Sequence, residues 1–151
     1  MEKIKKYKRL FDQINKLTIE CDNPISRMAT IIAVLYHKMD SFYWVGYYLL
    51  NKGELQVGPY QGTLACLELK QNKGVCWHAI NTNQTVIVPN VHLFEGHIAC
   101  DTKSNSEIVI PLLNTNKEII GVLDIDSKNL NNFDVIDAQN LEKINNLISH
   151  S

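Results

Sequence analysis

The chain predicts an α+β fold with a mostly antiparallel central sheet, helices on one side and a loop-covered ligand pocket on the other. Three observations lead there. Two strand pairs stand apart in the sequence, amphipathic helical segments flank them at both ends, and the polar, loop-rich stretch between the pairs holds three of the four cysteines. Helices segregated from antiparallel strands give the α+β order, because every element has one apolar side to bury. A single domain spanning 1–151 accounts for a chain of this length.

The elements follow in order. From Lys3 to Leu17, the residues Ile4, Tyr7, Leu10, Phe11, Ile14 and Leu17 keep the three-and-four spacing of a helix with one apolar face. "CDNP" interrupts it, and Asn23 before Pro24 is a helix start. Ile25 to Met39 is apolar nearly all round, which predicts a well-buried second helix and places the N-terminal helices at about 3–39. "FYWVGYYLL" reads as a strand, Asn51-Lys52-Gly53 as a turn, and "ELQVG" as a shorter returning strand. Within Pro59 to Ser106 the pattern predicts only a short helix at Val75–Asn81 and a strand at Thr85–Val88; a long loop-rich segment inside a compact domain is commonly functional. "SEIVIPLL" and "EIIGVLDIDS", joined by "NTNK", form a second hairpin, so that sheet and pocket occupy about 43–127. A closing amphipathic helix, about 133–149, is opened by Asn132 or Asp134.

A net charge of −1 supplies no field for holding a polyanion, so nucleic acid is excluded as a partner. Lys, Arg, Asp and Gln interrupt any apolar run near the N-terminus, and no later stretch has the length of a membrane span. The expected location is cytoplasmic, without membrane contact. There Cys21, Cys66, Cys76 and Cys100 are expected as reduced thiols at rest. The nearest two, Cys66 and Cys76, are ten positions apart, unlike the close pairs of a zinc site, and no metal is expected.

In "VLDID", Asp124 and Asp126 alternate with apolar residues at strand spacing, so both point to one face while Leu123 and Ile125 point to the other. Two carboxylates side by side repel. The pair is explained if it binds a cation, shares a proton, or lies in solvent at a strand end. Glu107 opens the neighbouring strand, and antiparallel pairing brings it near either aspartate. Three acids on one wall would raise at least one carboxyl pKa and leave a protonated acid near neutral pH; alone, Glu107 reads as an exposed strand end.

Trp44 and Tyr48 share a face with Gly46 between them. Strand aromatics commonly belong to the core, but a strand glycine marks close approach by a ligand or backbone, which favours a pocket wall. Cys100 sits between Ala99 and Asp101, with His97 and His92 upstream, a setting polar enough to keep a thiol reachable. A buried inert cysteine is the competing reading. Cys66 and Cys76 lie in the same region and could exchange with it, whereas Cys21 stands apart and reads as structural.

The stretches "FYWVGYYLL", "VGPYQGTLACLEL", "KGVC", "VPNVHLFEGHIACD", "SNSEIVIPL" and "IIGVLDIDS" closely resemble the free methionine-(R)-sulfoxide reductases, a family built on the GAF domain. The resemblance runs from Trp44 to Ser127 and implies a single GAF domain. It further implies that Cys100 attacks the sulfur of free methionine sulfoxide and becomes a sulfenic acid, that Cys66 condenses with it to a disulfide, and that thioredoxin reduces the disulfide. Cys76 matches an accessory or alternative resolving thiol. Trp44 and Tyr48 match the aromatic wall around the substrate, and Glu107, Asp124 and Asp126 the acidic wall that holds the sulfoxide oxygen and the α-amino group. No bound cofactor is implied, and a homodimer is allowed for. The chain departs from the family pattern at Trp77, Asn90 and Glu95, each touching the loop-rich middle. A non-catalytic GAF module that senses a small ligand or redox state is the alternative from another class, since one fold serves both trades; a structural zinc module is a third.

Overall fold

The structure, a computed structural model, describes residues 1–97, 100 and 102–149. Its elements are α1 (Glu2–Thr18), α2 (Pro24–Lys38), β1 (Trp44–Asn51), β2 (Glu54–Gln61), β3 (Glu68–Leu69), α3 (Gly74–Thr82), β4 (Val86–Val88), β5 (Ser106–Leu113), β6 (Ile119–Ser127) and α4 (Val135–Asn146). A 3-10 turn, Val91–Leu93, precedes β5. The strands form one six-stranded sheet in the order β3-β2-β1-β6-β5-β4, and every neighbouring pair is antiparallel.

Both hairpins have local causes. Lys52 and Gly53 take positive φ, as the tight turn between β1 and β2 requires, and glycine does so without a side-chain clash. Between β5 and β6, the Asn114 side chain accepts hydrogen bonds from the Asn116 and Glu118 amides and closes the "NTNK" loop. The returning strand is longer than expected: β2 runs through Gly58 and Pro59 to Gln61. The register slips there, with Gly46 opposite Tyr60 but Tyr48 opposite Val57, so β2 carries an extra residue. A bulge admits a proline that cannot donate to the ladder.

Side-chain oxygens start the helices. Asn23 accepts from the Ile25 and Ser26 amides at the head of α2. Asp134, rather than Asn132, caps α4, and Asp137 reaches back to the Asp134 amide at 2.8 Å to complete a capping box. Asp137 also accepts from Tyr7 Oη at 2.6 Å and Lys3 Nζ at 2.5 Å, which ties α1 to α4. Alternation does the rest. Val45 and Tyr47 of β1, Ile108 and Ile110 of β5, and Leu123 and Ile125 of β6 face α1, α2 and α4 in one apolar core. The opposite face carries a second cluster under α3 and the loops, with Trp44, Tyr48, Val109 and Val122 among its members. The three long helices thus take one side, as expected, and the short α3 belongs to the layer that covers the pocket.

Candidate active site

Strand register writes the pocket floor in rows. Trp44 pairs with Asp126, which pairs with Glu107, so these three side chains line up across β1, β6 and β5. Gly46 pairs with Asp124 in the next row, and Tyr48 with Val122 in the one after. Trp44, Tyr48, Glu107, Asp124 and Asp126 all line one pocket, together with Thr63, Leu64, Lys73, Cys76, His97, Cys100 and Ser104.

Gly46 does not serve the purpose expected of it. A Cβ there would lie 2.6 Å from Tyr60 Cβ and 2.7 Å from Trp44 Cζ3, so the gap in the row is filled by the tryptophan ring itself. Laid down over the glycine, the Trp44 ring stacks with Tyr48 and Tyr60, at centroid distances of 5.8 and 5.4 Å. Its indole N–H donates to the Thr63 carbonyl at 3.0 Å, and the Tyr48 hydroxyl donates to the Cys66 carbonyl at 3.2 Å. The aromatic wall therefore also holds the loop that bears Cys66.

Cys66 and Cys100 are joined in a disulfide, with Cα atoms 5.6 Å apart. The expectation of four reduced thiols is corrected accordingly: this separation lies in the range that a disulfide spans, and the structure holds the pair oxidised. Cys100 is exposed and Cys66 half-buried, so the bond is open to a reductant. Ala99 and Asp101, which frame Cys100 in the sequence, lie outside the described residues. Cys21 and Cys76 are free; Cys76 is buried beneath the pocket and Cys21 is half-buried far along the chain.

The acids behave as a cluster rather than as solvated strand ends. Glu107 and Asp124 are both buried. Burial pushes the Glu107 carboxyl well above its ordinary range, and the charges of Asp124 and Asp126 and a hydrogen bond to Asp124 push it further. Burial also raises Asp124, against hydrogen bonds from Glu107 and Cys76 that favour its charged form. Both effects favour the protonated form of Glu107, the form that donates a hydrogen bond to Asp124. The Cys76 thiol is raised as well, by burial first and then by the Asp124 charge, and stays neutral. His97 Nε2 lies 3.8 Å from Glu107 Oε1, but burial and the nearby His92 lower its pKa, which disfavours the imidazolium that an ion pair would need.

Two of the three departures from the family pattern have a structural account. Trp77 is buried in the pocket-side cluster and its indole donates to the Leu69 carbonyl at 3.1 Å, which pins α3 to β3. Asn90 caps the 3-10 turn by accepting from the His92 amide at 3.0 Å, as an aspartate would. Glu95 is exposed.

Comparison with known proteins agrees with this geometry. The GAF domain profile matches residues 25–150. The chain is 42% identical to GAF domain-containing protein A of Dictyostelium discoideum, over 98% of this chain and 93% of that protein. It is 41% identical to the free methionine-R-sulfoxide reductase of Escherichia coli (strain K12), over 95% of this chain and 87% of that protein. The chain belongs to the free methionine-R-sulfoxide reductase family. The X-ray structure of the reductase from Neisseria meningitidis in complex with its substrate superposes with a TM-score of 0.89 at 36% identity, covering 95% of this chain and 86% of that one.

Within that family frame, the residues that sequence reasoning left without a role are Ser104, buried in the pocket lining, and Lys73, with His97 placed only as a neighbour of Cys100. No local pattern marks them. Ser104 is one polar residue within the run "DTKSNSE", and Lys73 is one of many surface-type lysines until α3 folds against β5 and β6.

Proposed function

We propose that this chain reduces free methionine (R)-sulfoxide to methionine by thiol chemistry. One observation carries the reading: a solvent-reachable disulfide between Cys66 and Cys100 borders a pocket that combines an aromatic wall with the buried acid Glu107, whose carboxyl is pushed well above its ordinary range. In the reduced state Cys100 attacks the sulfoxide sulfur while Glu107 holds and protonates its oxygen, without which that sulfur is a poor electrophile. The oxygen passes to Cys100 as a sulfenic acid and methionine leaves. Cys66 then displaces water to form the disulfide, so that two thiols supply the two electrons. Trp44 and Tyr48 enclose the methyl and side chain. Asp124 and Asp126 supply the negative charge that a free α-ammonium group needs and a peptide-bound methionine lacks.

Cys76 is an accessory thiol in this scheme. No prosthetic group is required, since an external dithiol protein, which we assign as thioredoxin, returns the disulfide to thiols in the cytoplasm. No helix among the described residues is long and apolar enough to cross a membrane. The assembly we assign is a monomer or a homodimer.

Methionine release tests the proposal directly. The reduced protein is given the (R) and (S) diastereomers of the free sulfoxide, and the (R) sulfoxide within a blocked peptide. Release from the free (R) form alone is expected. Comparable turnover of the peptide would overturn the ammonium pocket, and equal use of the (S) form would overturn the assigned stereochemistry.

A further inference from the structure

Cys76 is the thiol that the Cys66–Cys100 couple leaves unused, and it is not alone at the bottom of the pocket. Its Sγ and one carboxylate oxygen each from Glu107 and Asp124 all lie within 4.8 Å of one another, and all three residues are buried. They come from three elements, α3, β5 and β6. Asp124 Oδ1 is buried with no hydrogen-bond partner. A buried carboxylate oxygen without a partner is costly, and a ligand in the pocket is the simplest way to satisfy it. His97, whose Nε2 stands 3.8 Å from Glu107 Oε1, brings an imidazole nitrogen to the same pocket.

One sulfur, two carboxylate oxygens and one imidazole nitrogen form a donor set with a definite preference. Hard cations such as magnesium and calcium take oxygen ligands, whereas a thiolate beside imidazole and carboxylate selects zinc and its neighbours. Bond lengths of about 2.0–2.3 Å in a tetrahedral site imply donor separations of about 3.3–3.8 Å, so donors already within reach need to converge by about 1 Å. The site requires side-chain torsions of Glu107 and His97 to close that gap. We propose that the pocket floor binds zinc, or a similarly thiophilic divalent cation, through Cys76, Asp124 and Glu107 with His97 as the fourth donor. The occupied site excludes the sulfoxide and silences the enzyme; this consequence, unlike the binding itself, rests on the function proposed above.

Cobalt(II) is the probe, because a thiolate ligand gives it an intense charge-transfer absorption. The full-length protein is titrated with the metal in both the disulfide and the fully reduced form. At least one form is expected to take one cobalt per chain with the thiolate band, to lose the band to added zinc, and to bind less tightly when free methionine is present. Cys76→Ser removes the band and weakens binding by roughly 100-fold, while Cys21→Ser leaves both unchanged. Asp124→Asn, chosen in case Cys76→Ser fails to fold, keeps the thiol but weakens binding by roughly 10-fold or more. A band that survives Cys76→Ser, undiminished affinity in Asp124→Asn, or the absence of a thiolate band in both forms overturns the proposal. None of these readouts uses turnover. A protein that binds cobalt but releases no methionine would instead sink the reductase reading and leave the metal site standing.

Discussion

Leu123 and Ile125 of β6 are wholly buried among the helices, while Asp124, set between them, is buried in the opposite direction over the pocket. The two faces of the sheet use the same strands and obtain opposite energetics. On the helix face, apolar area leaves water and buried polar groups find partners, as Tyr47 does with Asn145 at 2.8 Å. On the pocket face, acids are taken out of water beside one another, which costs stability and shifts their protons. One face makes the domain stable; the other spends part of that stability on chemistry.

The largest expected effect lies on the pocket face and leaves the other untouched. Cys100→Ser should abolish methionine release, because a serine hydroxyl stays protonated at neutral pH and cannot carry the sulfenic oxygen. Cys66→Ser should differ, releasing about one methionine per chain in a rapid-quench experiment and then stalling without the disulfide that regeneration uses. Normal turnover by Cys100→Ser would end the mechanism. Free cycling by Cys66→Ser would transfer the resolving role to Cys76.

Neighbouring substitutions on β6 sharpen the comparison. Leu123→Ala, on the helix face, should lower unfolding stability by about 2–5 kcal/mol, from lost burial plus the cavity left behind. Asp124→Asn, one residue on, should leave the denaturation midpoint unchanged or raised while cutting the rate of sulfoxide reduction, since it removes a buried charge. Urea titration and the assay, run on both variants, decide whether the division of labour holds. If Asp124→Asn unfolds, the acid is an anchor of the fold instead.

The pH response is a finer test. Glu107 has its folded-state pKa raised above the unfolded value of 4.5, so the folded chain retains a proton that the unfolded chain releases. That contribution is fully present below the unfolded value and is lost as pH rises through the raised one. Stability relative to Glu107→Gln should therefore decline with rising pH across that window, and single-turnover methionine release should fall with it. A release rate that increases over the same range would show that Glu107 acts as a base. The smallest effect is expected on the helix side: Asp134→Ala removes the α4 cap and should cost about 1 kcal/mol by denaturant midpoint, with unchanged single-turnover release.

Much of this contrast is legible in the chain itself, and the parts that are not share a cause. Alternation in "VLDID" and "FYWVG" assigns Leu123, Ile125, Val45 and Tyr47 to one face and Asp124, Asp126, Trp44 and Tyr48 to the other, because successive side chains of a strand must point oppositely. The helix starts at Asn23 and Asp134 are equally local, each a side-chain oxygen meeting amides two or three residues ahead. Gly46 was legible as a close approach but not as the bed for the Trp44 ring, since nothing local says which way a tryptophan lies. The length of β2 escaped for a similar reason: Gly58 and Pro59 read as a strand end until a bulge absorbs them.

What the sequence determined alone is therefore periodic and short-range: element types, caps, the two faces, and a family whose motifs span the pocket strands. Tertiary structure decided which distant residues meet. It set Cys66 beside Cys100 across 34 positions, buried Cys76 under the acids instead of beside the surface thiols, and brought Glu107 into the row of Asp126 and Trp44. It also decided the protonation of that row. A carboxyl pKa follows from burial and from charges within a few ångströms, and both are properties of the packed molecule that no spacing along the chain contains.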